Sequence, residues 1–184
     1  MDEKSDSIGN FIGMRQITIG FSKASTRFPI FSWLIMLIQK TPYSHVYLKY
    51  DNKFTGMTMY YQASHTLVNS MCENVFLSQE EIIKEFTFNV SDDAFKTWIM
   101  FADQNAGKPY GIKEILGLFL VELALLIGLK IDNPFKEAGE TWICDQLIAA
   151  GLQQCNNIKL LIPLNNMTPK DMYELVSSLP KDLN

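Results

Sequence analysis

Histidine is nearly missing: the 184-residue chain has two, His45 and His65. A reaction that needs an imidazole therefore has two candidate bases and no more. Cysteine is also sparse. Cys72, Cys144 and Cys155 are an odd number, without the close pairs of a zinc framework or the density of a disulfide scaffold. That spacing makes a weak case for a metal, calls for no cofactor, and suits a reducing compartment. Cationic charge of the kind nucleic acid demands is lacking. Sixteen Lys and Arg stand against 20 Asp and Glu, for a net charge of -4, and the basic residues are scattered. Nucleic acid is excluded as a partner.

Long hydrophobic runs are missing as well. The longest, Ile115 to Leu129, is apolar except for Glu122, and its fifteen residues fall short of the roughly 20 that cross a bilayer as a helix. The first ten residues, MDEKSDSIGN, are polar and do not read as a signal peptide. The expectation is a cytoplasmic protein with no transmembrane span. Neither an internal repeat nor a low-complexity stretch interrupts the chain.

What is present is enough apolar material, 47% of residues, for one good core. We read a single domain over 1–184 with a polar tail over 1–14. Gln16 to Phe21 has the β-branched alternation of a short strand, Ser44 to Tyr50 alternates likewise, and Met57 to Ser64, Val68 to Leu77 and Glu85 to Val90 follow as strands. The short spacings predict antiparallel neighbours. Helices are predicted over Phe31 to Lys40, over Ala94 to Gln104 after the Ser91-Asp92-Asp93 start, over Ile112 to Leu129, and over Met167 to Leu179 behind Thr168-Pro169. One more, Trp142 to Leu152, has Thr141 as its N-cap and Gly151 near its end. The class is α+β, a small antiparallel sheet packed against helices.

Cys144 falls in the first turn of that helix, where free N–H groups and the helix dipole favour thiolate over thiol. Cys144, Ile148 and Leu152 share a helix face, so the sulfur points where the helix meets the sheet. A lone cysteine in a helix commonly fills a core, and a lone histidine on a strand is commonly structural. Their joint context shifts the balance.

The run Thr41-Pro42-Tyr43-Ser44-His45-Val46 is followed by Tyr60-Tyr61-Gln62-Ala63-Ser64, then Gly107-Lys108-Pro109-Tyr110-Gly111, then Trp142-Ile143-Cys144-Asp145-Gln146. In order and spacing this set resembles the permuted NlpC-type papain-like cysteine hydrolases over about residues 16 to 152. The resemblance implies a permuted papain-like fold with the nucleophile at a helix N-terminus. It also implies a catalytic set of Cys144 as nucleophile, His45 as general base and Gln62 as the residue that orients the imidazole. Where the family commonly has an acidic residue or histidine, Gln62 accepts a hydrogen bond but brings no charge. His65 is the rival for that place. It stands three positions from Gln62, on the other face of an uninterrupted strand.

The implied activity is that of a peptidase or amidase cleaving an amide or isopeptide bond through a Cys144 thioester, with no cofactor. The same resemblance also covers lipid-directed acyltransferases and phospholipases, so the substrate stays open among peptide, amide and lipid. Peripheral membrane contact and a weakly active binding module stay open with it, as does the oligomeric state. The apolar Ile115 to Leu129 helix and Phe28 to Ile38 suit a greasy groove, although burial on the sheet is the plainer expectation for an all-round apolar helix. Tyr43 and Tyr110 stand beside two of the motifs as pocket-lining candidates. Cys72 and Cys155 are read as bystanders.

Overall fold

The computed structural model describes residues 14–25, 29–64, 66–132, 134–135 and 141–183. Its elements in chain order are β1 (Met14–Ala24), α1 (Pro29–Gln39), β2 (His45–Asn52), β3 (Met57–Ser64) and β4 (Leu67–Cys72). There follow α2 (Glu73–Leu77), β5 (Glu80–Ser91), α3 (Asp92–Asn105), α4 (Ile112–Leu126), α5 (Cys144–Asn156), α6 (Pro169–Ser178) and β6 (Asp182–Leu183). The architecture is α+β. One six-stranded sheet has the order β4-β3-β2-β1-β5-β6. Every pairing is antiparallel except the last, in which β6 runs parallel to β5. The sheet is therefore mixed, with β6 as the strand that the sequence did not announce.

Alternation along the strands makes two faces. Ile17, Ile19 and Phe21 of β1, Val46 and Leu48 of β2, and Tyr61 and Ala63 of β3 form one core. Against them pack Trp98 and Phe101 of α3, Leu147, Ile148 and Leu152 of α5, and Met172 and Val176 of α6. The opposite face has a smaller cluster of Tyr47, Tyr60 and Phe76, the last from α2. Gly20 pairs with Tyr47 across β1 and β2. A Cβ at Gly20 would meet that ring at 2.0 Å, so the bare backbone is what lets Tyr47 lie flat on the strand.

Capping places the helices. Ser91 accepts from the Ala94 N–H to start α3, and Thr168 with Asp171 forms a capping box at α6. The close approach of α3 to α5 is admitted by Gly151, where a Cβ would come within 2.1 Å of the Trp98 ring. Gly151 thus serves close packing inside the helix and does not end it; Asn157, in the left-handed region at φ 53°, closes α5 instead.

Three further expectations are corrected. The stretch from Val68 to Leu77 is a strand only as far as Cys72, because Glu73 to Leu77 turns into α2 and buries Phe76. The expected tail overlaps β1 at Met14, and 1–13 lie outside the described residues. The apolar helix α4 does not lie buried on the sheet: Ile112, Leu116, Leu120, Leu123 and Leu125 are exposed along it, as are Trp33 and Leu37 on α1. Among the described residues no helix is long and apolar enough to cross a membrane.

Candidate active site

Four sequence-distant runs are drawn together at one end of the sheet. β2 begins at His45, and β3 next to it carries Gln62. The segment from Gly107 to Gly111 lies along the free edge of β4: the Val68 N–H donates to the Lys108 carbonyl, and the Tyr110 N–H donates to the Thr66 carbonyl. Gly107 has φ +79°, a backbone that side-chain-bearing residues seldom adopt, which explains a glycine at this turn. Trp142 then docks on the same segment. Its N–H donates to the Pro109 carbonyl, its carbonyl accepts from the Gly111 N–H, and its indole Nε1 donates to Asn105 Oδ1 at 3.0 Å. The next residue but one is Cys144.

Cys144 is the first residue of α5, and Ile143, not Thr141, is its N-cap. Thr141 instead donates to the buried Glu114 carboxylate. The thiol is 5% exposed, and the N–H groups of Val46 and Asp145 are directed at it. The sulfur thus rests against the backbone of the residue that follows His45. A helix start and two N–H donors favour thiolate, as expected. Burial, however, acts more strongly, the neighbouring Asp145 carboxyl adds to it, and the thiol is pushed well above its ordinary value. The expected low-pKa thiolate is therefore replaced by a neutral resting thiol.

His45 Nε2 and Gln62 Oε1 are 2.6 Å apart, both residues buried. The Gln62 amide nitrogen is on the Met71 sulfur at 3.6 Å, which turns the carbonyl oxygen toward the imidazole. Because that oxygen only accepts, Nε2 must donate, which in a neutral imidazole leaves the Nδ1 lone pair to act as base. Gln62 and His45 are thus brought together. Cys144 and His45 are neighbours across a shared wall with no hydrogen bond between them. Cys144 lines an apolar cavity of about 110 Å³ with Leu34, Ile38, Leu116 and Phe119. His45 lines an adjoining one of about 270 Å³. Ser44, Ile35, Tyr110 and Ile115 belong to both. His65 lies outside the described residues.

Tyr110 stands where the cavities meet. Burial raises its hydroxyl well above the ordinary value, and Cys144, Asp145 and Glu80 reinforce the shift, so it stays a neutral hydroxyl in the wall of the Cys144 cavity. Tyr43 instead stacks on Tyr173 at 5.2 Å, away from these cavities. Cys155 is buried in α5, and Cys72 is half-buried with its thiol on Asn74 Oδ1.

Asp145 was not singled out by the sequence. It is buried, its Oδ1 accepts from the Gln146 N–H at 2.8 Å, and burial lifts its carboxyl to about 8. Nothing in a helix-opening Cys-Asp-Gln distinguishes such a carboxyl from an ordinary solvated one. Among the described residues no three His, Cys, Asp or Glu side chains gather as a metal ion would need. Comparison with known proteins names no family: no family model matches the chain, and no curated protein matches it.

Proposed function

We propose that the chain is a cysteine-dependent hydrolase of permuted papain-like design that cleaves an amide or isopeptide bond through a Cys144 thioester. The observation that supports this most is the 2.6 Å His45–Gln62 bond, because it leaves Nδ1 as the free base beside the strand backbone on which the Cys144 sulfur rests. As the sulfur attacks the carbonyl carbon, His45 takes its proton, and so no ion pair is needed at rest. The C–N bond then breaks, the amine leaves with the proton from His45, and water resolves the thioester with His45 as base again. The Cys144 N–H, one of the first four of α5 and without an acceptor inside the helix, is the donor for the oxyanion.

The test uses p-nitrophenyl acetate, with acetyl transfer mapped by mass spectrometry. Cys144 is expected to acetylate ahead of Cys72 and Cys155, and His45→Ala is expected to slow it by about 10²–10⁴-fold. Equal labelling of the three thiols, or indifference to His45, removes the hydrolase reading.

A second reading, a lipid-directed thiol acyltransferase or phospholipase, is favoured by one specific observation. The cavity at Cys144 is walled by Leu34, Ile38, Leu116 and Phe119 of α1 and α4, and both helices also turn apolar side chains outward. An aliphatic acyl chain fits such walls better than a polar peptide does.

A further inference from the structure

Of the polar groups that line the larger cavity outside the proposed chemistry, Ser32 and Ser44 bond to each other, whereas two buried ones are poorly partnered. Glu80, at the start of β5, is 7% exposed, and Ser22 Oγ donates to its Oε2 at 2.8 Å. Among the described residues that is its one hydrogen bond, and no cation pairs with it. Ser64, 6% exposed, lines the same space, and its Oγ has no partner among the described residues.

A bulge puts the carboxylate there. Between Phe21 and Ser22 the β1–β5 register slips by one residue, so that Phe21 faces Lys84 but Ser22 faces Ile82. The slip flips the alternation of β5. Phe86 and Phe88 face the main core, whereas Ile82 packs with the Tyr47 cluster on the other face. Ser22 also pairs with His45 on β2. Glu80 is thereby carried to the His45 side of the sheet, while Glu81 points out to an ion pair with Lys23.

A buried carboxylate with one hydroxyl donor is poorly compensated, and a hydroxyl with no partner is costly in the same way. Both deficits are relieved by a single cationic donor. We propose that this chamber is a subsite for an ammonium group, with Glu80 as its counter-charge and Ser64 Oγ as a hydrogen-bond acceptor. Among the described residues, the walls carry no ionisable side chain other than Glu80, the His45 imidazole and the Tyr110 hydroxyl. Tyr110, shared with the Cys144 cavity, places the subsite one wall from the sulfur. That the ammonium belongs to the substrate's leaving amine, or to an amine acceptor, rests on the hydrolase reading; the cation site itself does not.

The experiment is a backbone amide shift titration of the whole chain with n-butylammonium chloride, and with n-butanol as the neutral probe of like shape, at fixed ionic strength. Butylammonium is expected to saturate with shifts at Ser64, Thr66 and Glu80, butanol is not, and Glu80→Gln, which still accepts from Ser22, is expected to weaken binding at least about tenfold. Equal binding of butanol, unchanged binding in Glu80→Gln, or shifts scattered over the acidic surface overturn the proposal. The absence of any binding also overturns it. Ser64→Leu, which fills the chamber without touching the Ser22–Glu80 bond, is the second variant, and binding that survives it overturns the site. Acetyl transfer to Cys144 is measured separately, so either reading can fail while the other stands.

Discussion

At the scale of single residues, Gln62 and Asp145 show how a side chain's surroundings decide its use. Gln62 orients His45 by one short bond but cannot stabilise an imidazolium by charge. Gln62→Ala is expected to cost acetyl transfer about tenfold, the value of one buried hydrogen bond of about 1.4 kcal/mol. Gln62→Glu, acting through the same imidazole, is expected to shift the pH profile of that transfer upward, because a carboxylate raises the basicity of its partner. Asp145 is a different case. Its carboxyl is held at about 8 in the fold against 3.8 for the unperturbed group. The folded chain therefore binds the extra proton between those values. The stability it contributes is full below about pH 4 and is lost as pH rises through about 8, with a slope of up to about 1.4 kcal/mol per pH unit. Asp145→Asn removes that slope, which urea unfolding between pH 5 and 8 measures; a slope unchanged in the variant would show that another group carries it. His45, Gln62 and Cys144 stand out in the sequence because each sits in a short motif. Asp145, Glu80 and Ser64 could not, since their distinction is burial produced by partners far away in the chain.

At the scale of elements, the start of α5 decides what the site can be, and packing behind the helix decides where that start lies. Gly151 is the contact point, with the Trp98 ring where its Cβ would be. Helix propensity alone predicts that Gly151→Ala gains up to about 1 kcal/mol. Overpacking against a buried indole costs about 1–3 kcal/mol, and it also pushes α5 outward. A net loss of stability is expected in thermal or urea unfolding, accompanied by slower acetyl transfer to Cys144. A gain in stability would mean that the indole yields freely. The sequence pattern located nearly every helix and strand, because period and caps are local signals. It misplaced the start of α5, since Thr141 is an eligible cap whose hydroxyl is taken by Glu114, a partner 27 residues earlier. It read through α2 because Val75, Phe76 and Leu77 continue an apolar run, and a five-residue helix has too few turns to show a period.

At the scale of the whole molecule, the main core lies between the sheet and α3, α5 and α6, whereas α1 and α4 close over the site end and leave apolar side chains outside. Exposed apolar side chains, where they join into a patch, are a common feature of ligand grooves and contact surfaces. An acyl seat and a merely unpartnered face differ in one measurable respect, the dependence of rate on acyl length. Each methylene buried in the Cys144 cavity is worth about 0.8 kcal/mol, or roughly fourfold in kcat/KM. For p-nitrophenyl esters from acetate to decanoate, kcat/KM is expected to climb over the first few methylenes and then level, because about 110 Å³ is soon filled. Ile38→Trp, which fills the cavity from the α1 side, is expected to remove the climb and to leave acetate nearly unaffected. A profile that is flat from the outset disposes of the lipid reading and leaves the amide reading, since a peptide carbonyl needs no aliphatic seat. A climb that survives Ile38→Trp would locate the acyl chain on the outer face of α1 and α4 instead.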